Sequence, residues 1–304
     1  MDKAKKKWSI WKTLIIIALV FILAVFGYVL AVYLHAKKTV NNEMHTPVEA
    51  IDTKVGKDKL KNKDTLNILL LGIDADEGTH GRSDAMMILT VDSKGQQMQL
   101  VSIPRDTRTE IVGKGIQDKI NHAYAFGGAE MSIDTIESFL DMELDYYVSM
   151  NMEGFKNLVD ELGSITVNSD MEWSEGPYDF AFGKNTMDGK KTMAYVRMRK
   201  QDPMGDFGRT KRQRQVVSGV INKGASVGSV PKITSLISIM GENMSTNLDM
   251  DDMQKLLLNY KDARKNFTEY QMTGEGQKID GVYYLIVEDE EVQKVKDLIT
   301  DIGG

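Results

Sequence analysis

Nine arginines stand in this chain of 304 residues, and eight of them fall between Arg82 and Arg214. Most sit in short strings with aspartate: Gly81-Arg82-Ser83-Asp84, Pro104-Arg105-Asp106, Arg197-Met198-Arg199 and Gly205-Asp206-Phe207-Gly208-Arg209. A guanidinium is a planar, five-donor fork suited to bidentate capture of phosphate or carboxylate, whereas lysine is a point charge. A chain that takes its solubility from Lys and gathers Arg in one region is expected to hold an anion site there.

Asp74 and Asp84 are expected at the tips of adjacent strands, bracketing a polar, Gly-containing loop. Two carboxylates on one edge suit a hard divalent cation, with Mg²⁺ completing its shell from water and a bound phosphate. Asp at a strand end also simply caps turns, so the pair gains weight only beside Arg82 and Arg105. Pro104 stops its strand and presents Arg105 from a stiff corner; the plain alternative is a surface ion pair with Asp106. In an extended segment Arg197 and Arg199 would share a face and form a two-pronged clamp. A helix is expected to start near Arg209, with Arg209 and Gln213 four apart on one face. Free N–H groups and the positive dipole end make such a terminus favourable for anions, although an ordinary solvated, Arg-rich turn reads the same way. Three strings of one kind point to a multiply charged ligand such as a pyrophosphate.

The elements that must position these groups read as strands alternating with helices. Leu66 to Asp74 is an apolar run closed by Gly and Asp, the pattern of a buried central strand ending at a functional edge. Ala85 to Val91 and Met98 to Ile103 are strands joined at Ser93-Lys94-Gly95. Further strands are expected over 144–150, 165–167, 267–272 and 281–287. Helices are expected over 131–140, 152–162, 210–224, 233–240, 253–264 and 290–302. This order argues one α/β layered domain with a covered sheet.

Thr13 to Leu34 is 22 residues without a charge, roughly 33 Å as a helix and enough to cross a bilayer. Five lysines precede it (Lys3, Lys5, Lys6, Lys7, Lys12) and only Lys37 and Lys38 follow closely, so the amino terminus is expected in the cytoplasm and the body outside. A cleaved signal peptide would have a shorter apolar region and a small-x-small exit; Tyr33-Leu34-His35-Ala36 is a poor one. The expected organisation is therefore a cytoplasmic tail (1–12), a signal anchor (13–34), a Lys-rich stalk (35–64) and one extracytoplasmic domain (65–304). The formal net charge of −6 leaves no polycationic surface for nucleic acid. With no cysteine, disulfides, zinc thiolates and thiol catalysis are excluded, and four His without HExxH spacing give no basis for a His-based metal site. Outside the cytoplasm there is no ATP, so a phosphate donor must arrive activated, and a polyprenyl-pyrophosphate-linked glycan is the natural candidate. Its tail needs an apolar groove, which Met- and Leu-rich helices could line; the chain has 19 Met.

At these residues the sequence resembles the LytR–CpsA–Psr family of extracytoplasmic glycopolymer transferases. The resemblance covers the anchor and roughly 66–224, through NILLLGID (67–74), GRSD (81–84), SIPRD (102–106), KINHAYAFGG (119–128), YVRMR (195–199) and GDFGRTKRQRQ (205–215). Within the family it is most similar to the wall teichoic acid transferases. It implies a three-layer α/β/α sandwich with a central mixed sheet behind one transmembrane helix, and an apolar pocket for the polyprenyl chain. Arg82, Arg105, Arg197, Arg199 and Arg209, assisted by Gln213, would hold the pyrophosphate, and Asp74 and Asp84 would bind Mg²⁺. Asp206 would activate the acceptor, with Asp106 behind it, beside catalytic Arg105, Arg82 and Arg197. The implied reaction transfers an anionic glycopolymer from undecaprenyl pyrophosphate to peptidoglycan, in a single-pass type II protein of the cell membrane. A tethered pyrophosphate-lipid sensor or a lipid pyrophosphate hydrolase are the alternatives; the short cytoplasmic tail is expected to be too small for a signalling or DNA-binding domain. From Ala225 onward no motif is assigned.

Overall fold

The computed structural model describes residues 2–74, 81–224 and 243–302, with 236 and 239–241 between them. In chain order the elements are α1 (Asp2–Thr39), α2 (Thr53–Asn62), β1 (Leu66–Asp74), β2 (Arg82–Asp92), β3 (Gln97–Ile103), β4 (Arg108–Ile111) and β5 (Ile116–Lys119). Next come α3 (His122–Leu140), β6 (Tyr146–Asn151), α4 (Met152–Leu162), β7 (Ile165–Ser169), β8 (Trp173–Glu175), β9 (Tyr178–Phe180), β10 (Gly183–Met187) and α5 (Gly189–Arg197). The chain ends through α6 (Asp206–Gly224), β11 (Met244–Thr246), α7 (Met250–Asn259), β12 (Asn266–Gln271), β13 (Glu275–Ile279), β14 (Val282–Ile286) and α8 (Asp289–Thr300). The helix expected over 233–240 lies largely outside the described residues.

Six strands form the central sheet in the order β11-β6-β1-β2-β3-β12. It is mixed: β1 runs parallel to β6 and β3 to β12, while β1–β2, β2–β3 and β6–β11 are antiparallel. Alternation along each strand sorts side chains onto two buried faces. Leu69, Leu71 and Ile73 of β1, with Met86, Ile88, Val101 and Ile103, pack against α3 and α8 through Ile133, Ile136, Leu140, Val295 and Ile299. Leu66, Ile68 and Leu70 face the other way, with Val91, Met98 and Tyr146, toward Leu60 of α2, Ile221 of α6 and Met253 of α7. Both faces are covered, which is why β1 reads as a nearly continuous apolar run, interrupted at Asn67. The result is the expected three-layer α/β/α sandwich. A third core, around Trp173, Phe180 and Tyr195, joins α4, α5 and α6 to the small β7–β10 sheet and the β8–β9 hairpin.

α1 contains the expected uncharged run, and its span is long and apolar enough to cross a membrane, with no part of its apolar window buried against the domain. The expected stalk over 35–64 needs correction. Val40, Met44, Ile51 and Leu60 are all buried in the domain. Glu130 accepts hydrogen bonds from the Glu49 and Ala50 amides at 2.9 and 2.6 Å, and Thr46 N–H donates to Thr246 O at 2.7 Å. Apolar residues spaced among the lysines make this segment a docked collar; only its outward face is Lys-rich.

Candidate active site

One edge of the sheet collects the sequence motifs. β1 ends at Asp74, β2 begins at Arg82, β3 ends at Ile103 just before Pro104, and β12 ends at Gln271, paired with Ser102. Asp74 and Arg82 are direct cross-strand partners. The register slips between them and the body of the sheet: Gly72 opposes Ala85 but Ile73 opposes Ser83, leaving Asp84 as the extra residue of a bulge. Bulges re-aim a side chain, and the Asp84 carboxylate meets Arg105, Nη1 to Oδ2 at 2.8 Å, with Asn121 Nδ2 at 3.3 Å from its other oxygen. The corner at Pro104 is closed by Thr107 N–H donating to Pro104 O at 3.1 Å and Asn121 N–H donating to Arg105 O at 3.4 Å.

The second half of the site comes from α6, which begins at Asp206, three residues earlier than expected from the sequence. Asp206 complements the helix dipole at this terminus. Its carboxylate lies 2.6 Å from Arg209 Nη2, 3.6 Å from Arg199 Nε and 3.9 Å from Arg105 Nε. Arg105, Arg199 and Arg209 thus converge on one carboxylate, drawn from three of the strings. Arg105 also lies 3.9 Å from Asp106, whose other oxygen binds Lys119 Nζ at 2.6 Å. A cavity of about 190 Å³ opens between Pro104, Asp106, Arg199, Asp206, Thr210, Gln271 and Tyr283.

The electrostatics favour an incoming anion. Burial holds the Arg209 guanidinium below its ordinary value; Asp206 offsets this, while the charges of Arg105 and Arg199 add to it. Burial also opposes the charge on Arg105, but Asp84, Asp206 and Asp106 outweigh it and raise its value. Arg105 Nε and Arg209 Nε are buried without a hydrogen-bond partner among the described residues. Buried donors are rarely left so, and a phosphate oxygen would satisfy both.

Not every candidate joins this cluster. Arg197 is the last residue of α5 rather than part of an extended clamp, and Met198 behind it is buried. The segment turns at Met198 because Arg212 donates to the Met198 and Tyr195 carbonyls and pairs with Asp202. Arg197 and Arg199 nonetheless both remain exposed on either side of Met198. Gln213 sits one turn beyond Arg209 on α6, and among the described residues no ion pair joins Asp74, Arg82 or Arg197 to the cluster. The loop 75–80, which leads from Asp74 to Arg82, lies outside the described residues. For a cation, the donor set is two carboxylates at neighbouring strand ends. Among the described residues no group of three or more His, Cys, Asp or Glu is placed to hold a metal. A two-carboxylate set would suit an ion such as Mg²⁺, which keeps waters and takes ligand phosphate, rather than one that needs a full protein cage; here both Asp84 oxygens are bonded, to Arg105 and Asn121. Sequence reasoning gave no role to Asn121 and Lys119, although both lie in the KIN run; Gln271 and Tyr283 lie where no motif was assigned.

The sequence profile of the LytR–CpsA–Psr family matches residues 27–300. The chain belongs to this family. It is 44% identical over 286 residues to the polyisoprenyl-teichoic acid–peptidoglycan teichoic acid transferase TagU of Bacillus subtilis, covering 93% of this chain and 92% of that protein. The TagU of Bacillus licheniformis is 42% identical over 97% of this chain and 96% of its own length. The crystal structure of B. subtilis TagU superposes with a TM-score of 0.67 at 41% identity, covering 80% of this chain and 98% of that one. A structure of TagT bound to LIIa-WTA superposes with a TM-score of 0.69 at 32% identity, covering 87% and 98%. The expected α/β/α fold is that of these solved relatives.

Proposed function

We propose that this protein is a membrane-anchored phosphotransferase that moves a wall teichoic acid from an undecaprenyl-pyrophosphate carrier to peptidoglycan. The observation that carries this reading is the convergence of Arg105, Arg199 and Arg209 on Asp206, with two buried guanidinium N–H groups unpartnered among the described residues. The names of the TagU relatives supply the substrate class. Residues 1–12 lie in the cytoplasm and 13–34 span the membrane. The catalytic domain, 65–304 with its docked collar, faces outward beside the lipid donor.

The pyrophosphate is held by Arg105, Arg199 and Arg209, with Arg82 and Arg197 reaching it from the rim and Gln213 assisting from α6. Asp74 and Asp84 would hold Mg²⁺, which would neutralise phosphate charge when bound. A muramic acid 6-hydroxyl attacks the polymer-side phosphorus, forming a phosphodiester bond as the bond to undecaprenyl phosphate breaks. The hydroxyl proton passes to Asp206, which lines the cavity at the centre of the arginine cluster. Asp106, paired with Lys119 at 2.6 Å, is the second candidate base. Phosphoryl transfer of this kind depends on positioning and charge stabilisation, with little covalent chemistry left to the protein. The test is reconstituted transfer with purified lipid-linked polymer and peptidoglycan. Acceptor-dependent product supports the reading; release of lipid phosphate without acceptor, or tight lipid binding with no turnover, would replace it with a hydrolase or a sensor.

A further inference from the structure

The chain after residue 224 carries none of the six motifs, yet its described residues wall part of the active-site cavity. Gln271, the last residue of β12, accepts a hydrogen bond at its Oε1 from Arg214 Nη1 at 3.0 Å, and the same nitrogen donates to Ser102 Oγ at 3.1 Å. A guanidinium can only donate, so the amide oxygen must face it, and this fixes the amide's orientation. Gln271 Nε2 is then turned away from Arg214; it is buried, has no hydrogen-bond partner among the described residues, and belongs to a side chain that lines the cavity with Asp206. A dry amide donor is unfavourable, so an oxygen acceptor from a ligand is expected there.

Tyr283 of β14 lines the same cavity and is 43% exposed. Its hairpin is fastened to the arginine corner, because Leu285 N–H donates to Asp106 O at 2.8 Å. Lys119 Nζ lies over the Tyr283 ring at 6.0 Å from the centroid, and the exposed part of an aromatic ring suits the apolar C–H face of a pyranose, the ring's π surface being negative. Phe207 and Leu285 add apolar wall. A carbonyl acceptor carried next to a methyl group is the chemistry that such a mixture matches. At about 190 Å³ the cavity is smaller than the roughly 300–1,000 Å³ of sites that enclose a drug-sized ligand, and suits one sugar unit.

We propose that Gln271 and Tyr283 form the acceptor subsite, seating an N-acetylated hexosamine with its amide carbonyl on Gln271 Nε2 and its ring against Tyr283, so that its hydroxyl reaches Asp206. This deepens the transferase reading and rests on it for the identity of the acceptor. Gln271 and Tyr283 act as specificity residues; the arginines remain the donor site.

The test uses the full chain in detergent and measures binding of chitotetraose against cellotetraose, the same β-1,4 chain with hydroxyls in place of N-acetyl groups. Gln271→Glu keeps an oxygen for Arg214 but removes both N–H donors, and Tyr283→Leu removes the platform. Wild type should prefer chitotetraose, and Gln271→Glu should erase that preference. Each variant should weaken chitotetraose by about tenfold, one hydrogen bond or one contact of that scale. Tyr283→Leu should leave inorganic pyrophosphate binding unchanged. Wild type without the preference, or either folded variant binding chitotetraose like wild type, would overturn the subsite. The transfer assay separates the two readings. Glycan binding that depends on Gln271 in a protein that transfers no polymer would sink the transferase and keep the subsite. Polymer transfer with an unchanged acceptor KM in Gln271→Glu would do the reverse.

Discussion

Arg209 and Arg212 lie less than one turn apart on α6, and both are largely buried, yet they sit in opposite chemical situations. Arg212 is 4% exposed, and its three nitrogens donate to the Tyr195 and Met198 carbonyls and to Asp202. Gly208 makes this possible, since a Cβ there would overlap the Asp202 carboxylate. Arg214, 6% exposed, is equally committed, to Glu269, Ser102 and Gln271. Arg209 instead shares Asp206 with two other guanidiniums and keeps a buried Nε–H without a partner among the described residues. Burial does not distinguish a binding arginine from a structural one; uncommitted donors do. Arg212 is bonded shut and holds the loop 198–206 against α6, whereas Arg209 keeps an uncommitted donor beside Asp206, which lines the cavity.

Removing a committed arginine should give the largest effect. Arg212→Ala leaves Asp202 buried and two carbonyls unpartnered, and should cost about 3–5 kcal/mol, the scale for breaking a buried pair. At roughly 2–4 °C per kcal/mol for a domain of this size, calorimetry should record a fall in Tm of about 10 °C; an unchanged Tm would break the comparison from the structural side. The open arginines should behave in the opposite way. Arg105→Ala or Arg209→Ala should lower transfer by about 2–4 kcal/mol, the scale of one charge-stabilising donor, with Tm little changed. Wild-type transfer by Arg105→Ala would remove it from the clamp.

A smaller effect is expected at the metal. Chelation should lower transfer about tenfold, with Mg²⁺ restoring it, because an ion with two protein carboxylates is held partly by water and phosphate. Asp84→Ala should no longer respond to Mg²⁺; full activity in chelator-treated Asp84→Ala would discard the assignment. The smallest effect concerns Asp118, a carboxylate whose partners are His122, the Lys119 amide and Tyr284 rather than arginines. Burial works to raise its value, but hydrogen bonds from His122, the Lys119 amide and Tyr284 outweigh it and hold it below the ordinary range. A depressed carboxylate contributes stability that is complete above the unfolded value of about 3.9 and is lost as pH falls through the lower folded value. Tm measured from pH 6 to 3 should therefore fall less steeply at the acid end in Asp118→Asn than in wild type.

The sheet was legible because its signal is local. β1, β2 and β3 are apolar runs bounded by Gly, Asp or a turn, and each forms within a few residues of expectation. Arg105 and its Pro104 corner were equally plain, since Pro ends β3 one residue earlier. The stalk misled because Ile51 and Leu60 are single apolar residues among lysines, and their burial depends on a groove made by distant elements. The Arg197–Arg199 segment misled because Arg212, fifteen and thirteen residues on, bends it. Gln271 was invisible for a related reason: an amide becomes a directed donor only once Arg214 fixes its oxygen, and that contact spans 57 residues.

The claim that uncommitted donors mark the pyrophosphate site is tested most directly by titrating the lipid-linked pyrophosphate donor onto Arg209→Lys and Arg212→Lys in the same detergent. Both keep the charge and lose the fork. Arg209→Lys should bind the donor about tenfold more weakly, the scale of one charged hydrogen bond, at an unchanged Tm. Arg212→Lys should melt lower yet bind the donor like wild type per folded molecule. Equal losses of donor affinity in the two folded variants, or wild-type binding by Arg209→Lys, would contradict it.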